Sequence, residues 1–122
     1  MTDLVADQNA VRRYLCDDAP DARLITVRLG STKDEMLDHQ NMPGILKSLC
    51  GELVAACCML SHMLKFDGEM IVQIKGSGPV TMIVAECSSE GRIRSTAQWH
   101  DLTEAASFRE LLGTGYLAVT ID

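Results

Sequence analysis

Five cysteines are the most reactive side chains of this sequence, and two of them are adjacent. Cys57 and Cys58 lie in the apolar stretch ELVAACCML, residues 52–60. Successive residues of a helix point about 100° apart, whereas a disulfide requires two side chains that converge. We therefore expect no bond between Cys57 and Cys58. Free cysteine behaves as a small buried hydrophobe, so these two residues, together with Cys50, are predicted to fill a core.

The spacing of the cysteines also bears on metal and redox chemistry. The sequence contains neither Cys-x-Cys nor Cys-x-x-Cys, the short spacings typical of cysteine zinc sites. An odd number of cysteines without the spacing of a secreted disulfide framework favours a reducing compartment. Cys16 and Cys87, near the ends of predicted elements, are expected to be the more exposed thiols. No two cysteines are expected close enough for reversible switching by oxidants.

The three histidines, His39, His62 and His100, are not paired with one another or with a carboxylate in a zinc-binding pattern. His39 is expected at a helix C-terminus, where positive charge is stabilising. One helical turn separates Cys58 from His62, the spacing that a thiolate and its base would need on a helix. A reactive thiolate requires electropositive, partly exposed surroundings, which the apolar run does not offer. We predict no catalytic, cofactor-binding or metal-binding residue.

Residues 76–79, GSGP, resemble a phosphate-binding loop in composition. A loop of that type needs a helix directly after the glycines, so that the helix N-terminus faces the phosphate. Here Pro79 leads into an alternating run with β-branched residues, which indicates a strand. The segment is therefore predicted to be a hairpin turn, and no cofactor is expected.

Composition and charge limit the classes of partner. The chain has 122 residues, 47% apolar and 23% charged, with a formal net charge of −6 at pH 7, as in one soluble domain. The acidic excess without a basic cluster argues against nucleic acid or an anionic membrane surface as a partner. Asp3 and Asp7 do not suit a secretory signal, and the longest apolar run, residues 53–60, is too short to span a bilayer. A cytosolic protein is predicted.

Periodicity predicts the elements of the first half of the chain. Apolar residues between positions 4 and 15 have a weak helical spacing, and residues 22–30 alternate as a strand. Two overlapping capping boxes within residues 31–35 predict the start of a short helix. Pro43 suits the first position of a long helix that runs to about Leu64.

The second half completes an α+β pattern. The long helix is apolar on all sides after Glu52, which is typical of a helix surrounded by protein. Residues 70–99 alternate as a three-stranded antiparallel meander. A capping box at Asp101 and Glu104 predicts a helix that Gly113 closes, followed by a last strand. The predicted fold class is α+β, with antiparallel sheets packed around a central, largely buried long helix.

Four short motifs occur in a fixed order along most of the chain. A long apolar helix, GILKSLCGELVAACCMLSHMLK, leads into LKFDG at residues 64–68, and a G-x-GP turn follows at residues 76–79. A G-x-G-x-L-x-V-T strand comes last, with Gly113, Gly115, Leu117, Val119 and Thr120. Together these motifs resemble the N-terminal domain of the redox-regulated heat-shock chaperones, the heat shock protein 33 family.

The resemblance implies a cytosolic, ATP-independent holdase, regulated by redox state, that binds unfolding client proteins under oxidative stress and forms homodimers. In that family four cysteines of a C-terminal domain, spaced Cys-x-Cys and Cys-x-x-Cys, bind zinc, and this sequence has neither spacing. Residues 1–122 are therefore expected to be a single, truncated N-terminal domain without zinc. The chain ends directly after an apolar strand, and exposure of Leu117, Val119 and Ile121 there predicts self-association.

Other functions remain open on the residues alone. One is an interaction or assembly domain without chaperone activity, which a light-scattering assay with a heat-unfolding client would distinguish from a holdase. Another is a small thiol-dependent enzyme that uses Cys16 or Cys87, for which the sequence places no base. Methionine is adaptable at promiscuous binding surfaces, but most of the methionines are expected on core faces. We predict a chaperone and not an enzyme.

Overall fold

A computed structural model describes residues 9–37, 41–102 and 107–122 of the chain. Within these ranges the elements are two antiparallel sheets and helices of very different length. In chain order they are β1 (Asn9–Cys16), β2 (Ala19–Leu29), α1 (Ser31–Leu37), α2 (Gly44–Met63), β3 (Glu69–Gly76), β4 (Val80–Ser88), β5 (Ile93–Trp99), α3 (Phe108–Leu112) and β6 (Gly115–Ile121). The predicted α+β class, with antiparallel sheets around a long helix, is confirmed.

The first element differs from the prediction, because β1 is a strand where the sequence suggested a helix. It pairs antiparallel with β2 as a hairpin, with Val11 opposite Val27. These two valines pack against the core, whereas Leu15 is exposed. The helical spacing was weak, and pairing with β2 satisfies the backbone of β1 while partly burying Val11. The predicted strand that follows is confirmed as β2.

The second sheet has four strands in the order β5-β4-β3-β6. Strands β3, β4 and β5 form the predicted meander, and residues 76–79 form the predicted turn between β3 and β4. β6 returns to the free side of β3 and pairs with it antiparallel. This arrangement leaves β5 and β6 at the two edges of the sheet within the described residues.

The long helix α2 has 20 residues and begins directly after Pro43, whose carbonyl oxygen accepts a hydrogen bond from the Lys47 amide at 3.0 Å. It ends where Leu64 becomes extended. The predicted bounds therefore hold to within one residue. Burial is deepest on one face of the helix, and Leu60 is only partly buried while Met63 is exposed. The expectation that the second half is buried on all sides is therefore corrected.

The core forms where α2 crosses the sheet. It includes the buried side chains Leu46, Cys50, Leu53, Val54 and Cys57 of α2 and Met70, Val72, Val80, Ile83, Ala85 and Cys87 of β3 and β4. Among the helices of the described residues, α2 is the one that meets the criteria of length and mean hydropathy, 1.5, for a membrane-spanning helix. The core helix of a soluble protein meets the same criteria, and the buried face of α2 packs on this sheet.

The short helix α3 begins later than predicted. Its N-cap is Ser107, whose hydroxyl accepts a hydrogen bond from the Glu110 amide at 3.2 Å, so the described helix starts at Phe108. The predicted capping box paired Asp101 with Glu104, and Glu104 lies outside the described residues. Gly113 closes the helix with a φ of 63°, as expected.

Candidate functional site

An apolar strip lies on β6, and the register of the sheet shows which face it occupies. Leu117, Val119 and Ile121 pair with Ile74, Val72 and Met70 of β3. Paired residues of neighbouring strands point to the same side of a sheet, so these three side chains lie on the face that carries α2. We call Leu117, Val119 and Ile121 the β6 strip.

The β6 strip is exposed although it continues the core face of the sheet. Val72 and Met70 are buried, whereas Leu117, Val119 and Ile121 are 58%, 45% and 48% exposed. Within this sheet, the helix packs more on β4 and β5 than on β3, which places it toward the edge opposite β6. The predicted exposure of these three side chains is confirmed, and exposed apolar surface of this kind marks sites of protein interaction.

An apolar groove lies where α2 faces β3 and β4. It has a volume of about 170 Å³ and is lined mostly by apolar side chains: Leu49, Leu53, Ala56, Ile74, Ile83 and Phe108, with Glu52 the one charged residue. Ile74 of the groove is paired with Leu117 of the strip. Phe108 at its border is itself exposed. The strip and the groove therefore form one continuous candidate surface for apolar ligands.

The methionines contribute little to this surface. Met42 and Met70 are buried in the core, and Met36 packs against it. Met59, Met63 and Met82 were also expected on core faces, but Met63 is exposed at the end of α2 and Met59 is not among the side chains packed against the core. Met82 pairs with Lys75 and lies on the face of the sheet opposite α2. The prediction that most of these methionines lie on core faces is therefore corrected.

The cysteines of α2 are buried as predicted, but Cys87 is not the exposed thiol that the sequence suggested. Cys50, Cys57, Cys58 and Cys87 are all buried. Cys87 pairs with Met70 and lies in phase with Ala85 on the helix-facing side of β4, which explains its burial near a strand end. The side chain of Cys16 lies outside the described set.

Burial also governs the acidity of these thiols. Desolvation raises the pKa of the Cys57 thiol to about 12, with the neighbouring Cys87 and Glu86 adding to the effect. Desolvation likewise raises the pKa of Cys50. Both groups are therefore neutral at physiological pH, as expected for cysteines that fill a core.

The pairing of Cys58 with His62 as nucleophile and base, which the apolar sequence around them disfavoured, does not form. The Nδ1 atom of His62 lies 2.8 Å from the carbonyl oxygen of Cys58, and the Ser61 hydroxyl donates to the same oxygen at 2.7 Å. The imidazole is thus bonded to the backbone of Cys58 and not to its sulfur. His100 is exposed, and His39 lies outside the described residues.

The described residues lack the side-chain groupings of a metal site and the geometry of a phosphate-binding loop. Among residues 9–37, 41–102 and 107–122 there is no group of three or more His, Cys, Asp or Glu side chains placed to hold a metal ion. The GSGP turn packs against α3, since a Cβ atom on Gly78 would lie 2.5 Å from the carbonyl oxygen of Leu111. Its glycines therefore allow close backbone contact within the fold, as the hairpin interpretation requires.

Comparison with known proteins gives consistent matches over almost the whole chain. The sequence model of the family described as "Hsp33 protein" matches residues 9–122. A protein named "33 kDa chaperonin" from Shewanella sp. (strain W3-18-1) is 39% identical over 116 residues, which cover 94% of this chain and 40% of that protein. The protein of the same name from Vibrio cholerae is 35% identical over 115 residues, 93% of this chain and 39% of its own length. The chain thus spans about 40% of the length of these relatives.

Proposed function

Because this chain belongs to the Hsp33 family, we propose that it acts within a cytosolic, ATP-independent chaperone that holds unfolding proteins and prevents their aggregation under oxidative stress. The relatives named as chaperonins support a chaperone. A holdase must present apolar surface to the apolar segments that unfolding proteins expose. The ligand class is therefore client protein in an unfolded or partly folded state.

The β6 strip is the observation that carries this proposal. Its side chains lie on the same face of the sheet as the core residues of β3 with which they pair, yet they are about half exposed. The apolar groove extends this surface toward α2. The edge of β6 also offers backbone hydrogen-bonding groups to an extended segment. Clients would contact the strip through apolar side chains and the edge through their backbone. This mode requires no particular client sequence, which suits a holdase.

The glycine-rich turn does not form a phosphate-binding loop, in agreement with the proposed independence from ATP. Gly76 and Gly78 lie against backbone carbonyl oxygens of α3 and not in front of a helix N-terminus. Light scattering by a heat-unfolding client, measured without nucleotide, tests both the holdase activity and its independence from ATP. We expect the 122-residue chain to suppress the aggregation of the client.

A pair of neighbouring variants locates the surface. Leu117→Gln removes one side chain of the β6 strip, and Tyr116→Gln removes a side chain of almost equal exposure, 59%, from the opposite face of the same strand. We expect Leu117→Gln to weaken suppression severalfold and Tyr116→Gln to leave it nearly unchanged. Equal loss in both variants would contradict the assignment to the strip, and no suppression by the wild-type chain would favour an assembly domain without chaperone activity.

We also propose that the chain forms a homodimer and that it requires no cofactor of its own. Edge strands pair readily with a second copy, and symmetric pairing is the commonest way to cover an apolar patch. The family resemblance assigns zinc and redox regulation to cysteines spaced Cys-x-Cys and Cys-x-x-Cys, neither of which occurs in these 122 residues. Nucleic acid and membrane are not proposed as partners, given the net charge of −6.

A further inference from the structure

Two thiols far apart in sequence meet between α2 and β4. The Cys58 thiol donates to the sulfur of Cys87, and the two Sγ atoms are 3.8 Å apart across 29 positions of sequence. Cys58 is 4% exposed and Cys87 is 1% exposed. The expectation that no two cysteines are close is therefore wrong for this pair, which we call the thiol pair.

The surroundings of Cys87 favour its ionised form over that of Cys58. Its sulfur faces the Cys58 thiol and also the Ser61 hydroxyl, whose oxygen is 3.6 Å away. Donation from Cys58, reinforced by Ser61 and by the nearby His62, holds the pKa of Cys87 below its ordinary value although burial opposes this. The same hydrogen bond, together with burial, raises the pKa of Cys58. Cys87 is therefore the thiol of the pair that ionises more readily.

A solvent-open cavity lies next to the thiol pair. It has a volume of about 450 Å³, and its lining includes Ser61, His62 and Ser88. Ser61 contacts the Cys87 sulfur directly, and Ser88 follows Cys87 in the chain. A small neutral oxidant in this cavity would meet Ser61, whose hydroxyl contacts the Cys87 sulfur.

The hydrogen bonds of the other two described buried thiols go to acceptors that cannot form a disulfide. The Cys57 sulfur faces the carbonyl oxygens of Met70 and Ala85, at 3.8 and 3.9 Å. The Cys50 thiol faces the thioether of Met42 at 3.6 Å. These contacts distinguish Cys58 from its sequence neighbour Cys57 and supply matched controls.

We propose that Cys58 and Cys87 form a thiol oxidation site that hydrogen peroxide converts to a disulfide. The Cys87 thiolate attacks one peroxide oxygen, so that an S–O bond forms, the O–O bond breaks and the departing hydroxide is protonated to water. The Cys58 sulfur then attacks the sulfenic sulfur of Cys87. An S–S bond forms, the S–O bond breaks, and the departing hydroxide takes the proton that Cys58 loses. Two thiols and one peroxide give one disulfide and two waters, and this step does not depend on the chaperone activity proposed above.

Peptide mapping of the folded wild-type chain tests the proposal. The chain is treated with hydrogen peroxide in native buffer, its remaining thiols are alkylated in denaturant, and it is digested with trypsin without reductant. Cleavage after lysine and arginine separates residues 48–65, which hold Cys50, Cys57 and Cys58, from residues 76–92, which hold Cys87. We expect these two peptides to be joined by a disulfide, with a mass two hydrogens lower than the sum of the two peptides. The crosslink should form within a single chain, and dithiothreitol should separate the peptides.

Substitutions identify the thiol that is joined to Cys87. The crosslink is expected to persist in Cys50→Ala and Cys57→Ala and to disappear in Cys58→Ala, with circular dichroism confirming that each variant is folded. A crosslink lost in Cys57→Ala but kept in Cys58→Ala would overturn the proposal. A crosslink between two chains would also overturn the proposal. The same holds if the folded wild-type chain forms no crosslink while the urea-unfolded chain does. Both of these outcomes are measured on the wild-type chain and require no variant.

Discussion

At the scale of single residues, Cys57 and Cys58 show how one step along a helix changes the chemistry of a side chain. Cys57 points at two backbone carbonyl oxygens of the sheet, whereas Cys58 points at the sulfur of Cys87. The first arrangement makes Cys57 part of the packing, with a raised pKa that keeps it neutral. The second places Cys58 where oxidation can join α2 to β4.

The raised pKa of Cys57 predicts a loss of stability in alkali. The ordinary thiol pKa is 9.0 and that of folded Cys57 is about 12, so above 9.0 the unfolded chain loses this proton while the folded chain keeps it. The free energy of unfolding should therefore fall as the pH rises through this window, by at most about 1.4 kcal/mol per pH unit for one thiol. Urea unfolding under reducing conditions, at pH values on both sides of 9.0, measures this slope.

The Cys57→Ala variant is the control for that slope. It lacks the thiol, so its stability should decline less steeply above pH 9.0, whatever its stability at neutral pH. The lowered pKa of Cys87 acts in the opposite direction, because it makes the free energy of unfolding rise with pH. This rise ends once the pH exceeds the ordinary thiol pKa, so it does not affect the slope at higher pH. Identical slopes in the wild-type chain and in Cys57→Ala would show that Cys57 does not titrate on unfolding.

At the scale of elements, α2 is less uniformly buried than its apolar sequence suggested. Leu46 is fully buried, whereas Leu60 is only partly covered. We expect Leu46→Ala to lower the free energy of unfolding by about 2–5 kcal/mol, the range for a buried leucine. Leu60→Ala should cost less than about 2 kcal/mol, because less apolar contact is lost and water can fill the space. Urea unfolding of both variants measures the difference, and equal losses would contradict the burial described for α2.

The elements also show how far the sequence alone determines this fold. The bounds of α2 followed from Pro43 and from the end of the apolar pattern, and the alternation of β3 to β5 gave the meander. β1 was missed because its pairing with β2 is a tertiary contact that leaves only a weak local pattern. The start of α3 was missed because a capping box at Asp101 competes with the serine cap at Ser107, and local sequence does not decide between them.

The candidate sites were less predictable than the elements. The exposed side chains of the β6 strip were expected, but their position on the helix-facing side of the sheet follows from the pairing of β6 with β3, which no local pattern gives. The thiol pair depends on how α2 lies across β4. The alternation of β4 could have predicted the burial of Cys87, because Cys87 is in phase with Ala85 and Ile83 and all three side chains are buried.

At the scale of the whole molecule, the β6 strip predicts the state of association. We expect light scattering coupled to size exclusion to give twice the chain mass of 13.3 kDa, because a second copy would cover the strip and pair with the β6 edge. A client would compete for the same strip, so an unfolded client should shift the dimer toward monomer. A monomer mass at high protein concentration would contradict the homodimer.

Two adjacent substitutions assign the interface. Val119→Glu places a charge in the β6 strip, where burial against a second copy would be costly, and it should give a monomer. Thr120→Glu places the same charge on the opposite, exposed face of the strand and should leave the dimer intact. Dissociation by Thr120→Glu alone would place the interface on the other face of the sheet.

The strand order β5-β4-β3-β6 also has a kinetic consequence. β3, β4 and β5 pair with their neighbours in the chain, whereas β6 reaches β3 only after β4, β5 and α3 have intervened. Closing such a long loop is entropically costly, and non-local pairing of this kind is slow. The meander can therefore assemble on α2 before β6 docks. The strand that carries the strip would then be the last of the sheet to pair, and in a single copy its backbone is held along one edge only.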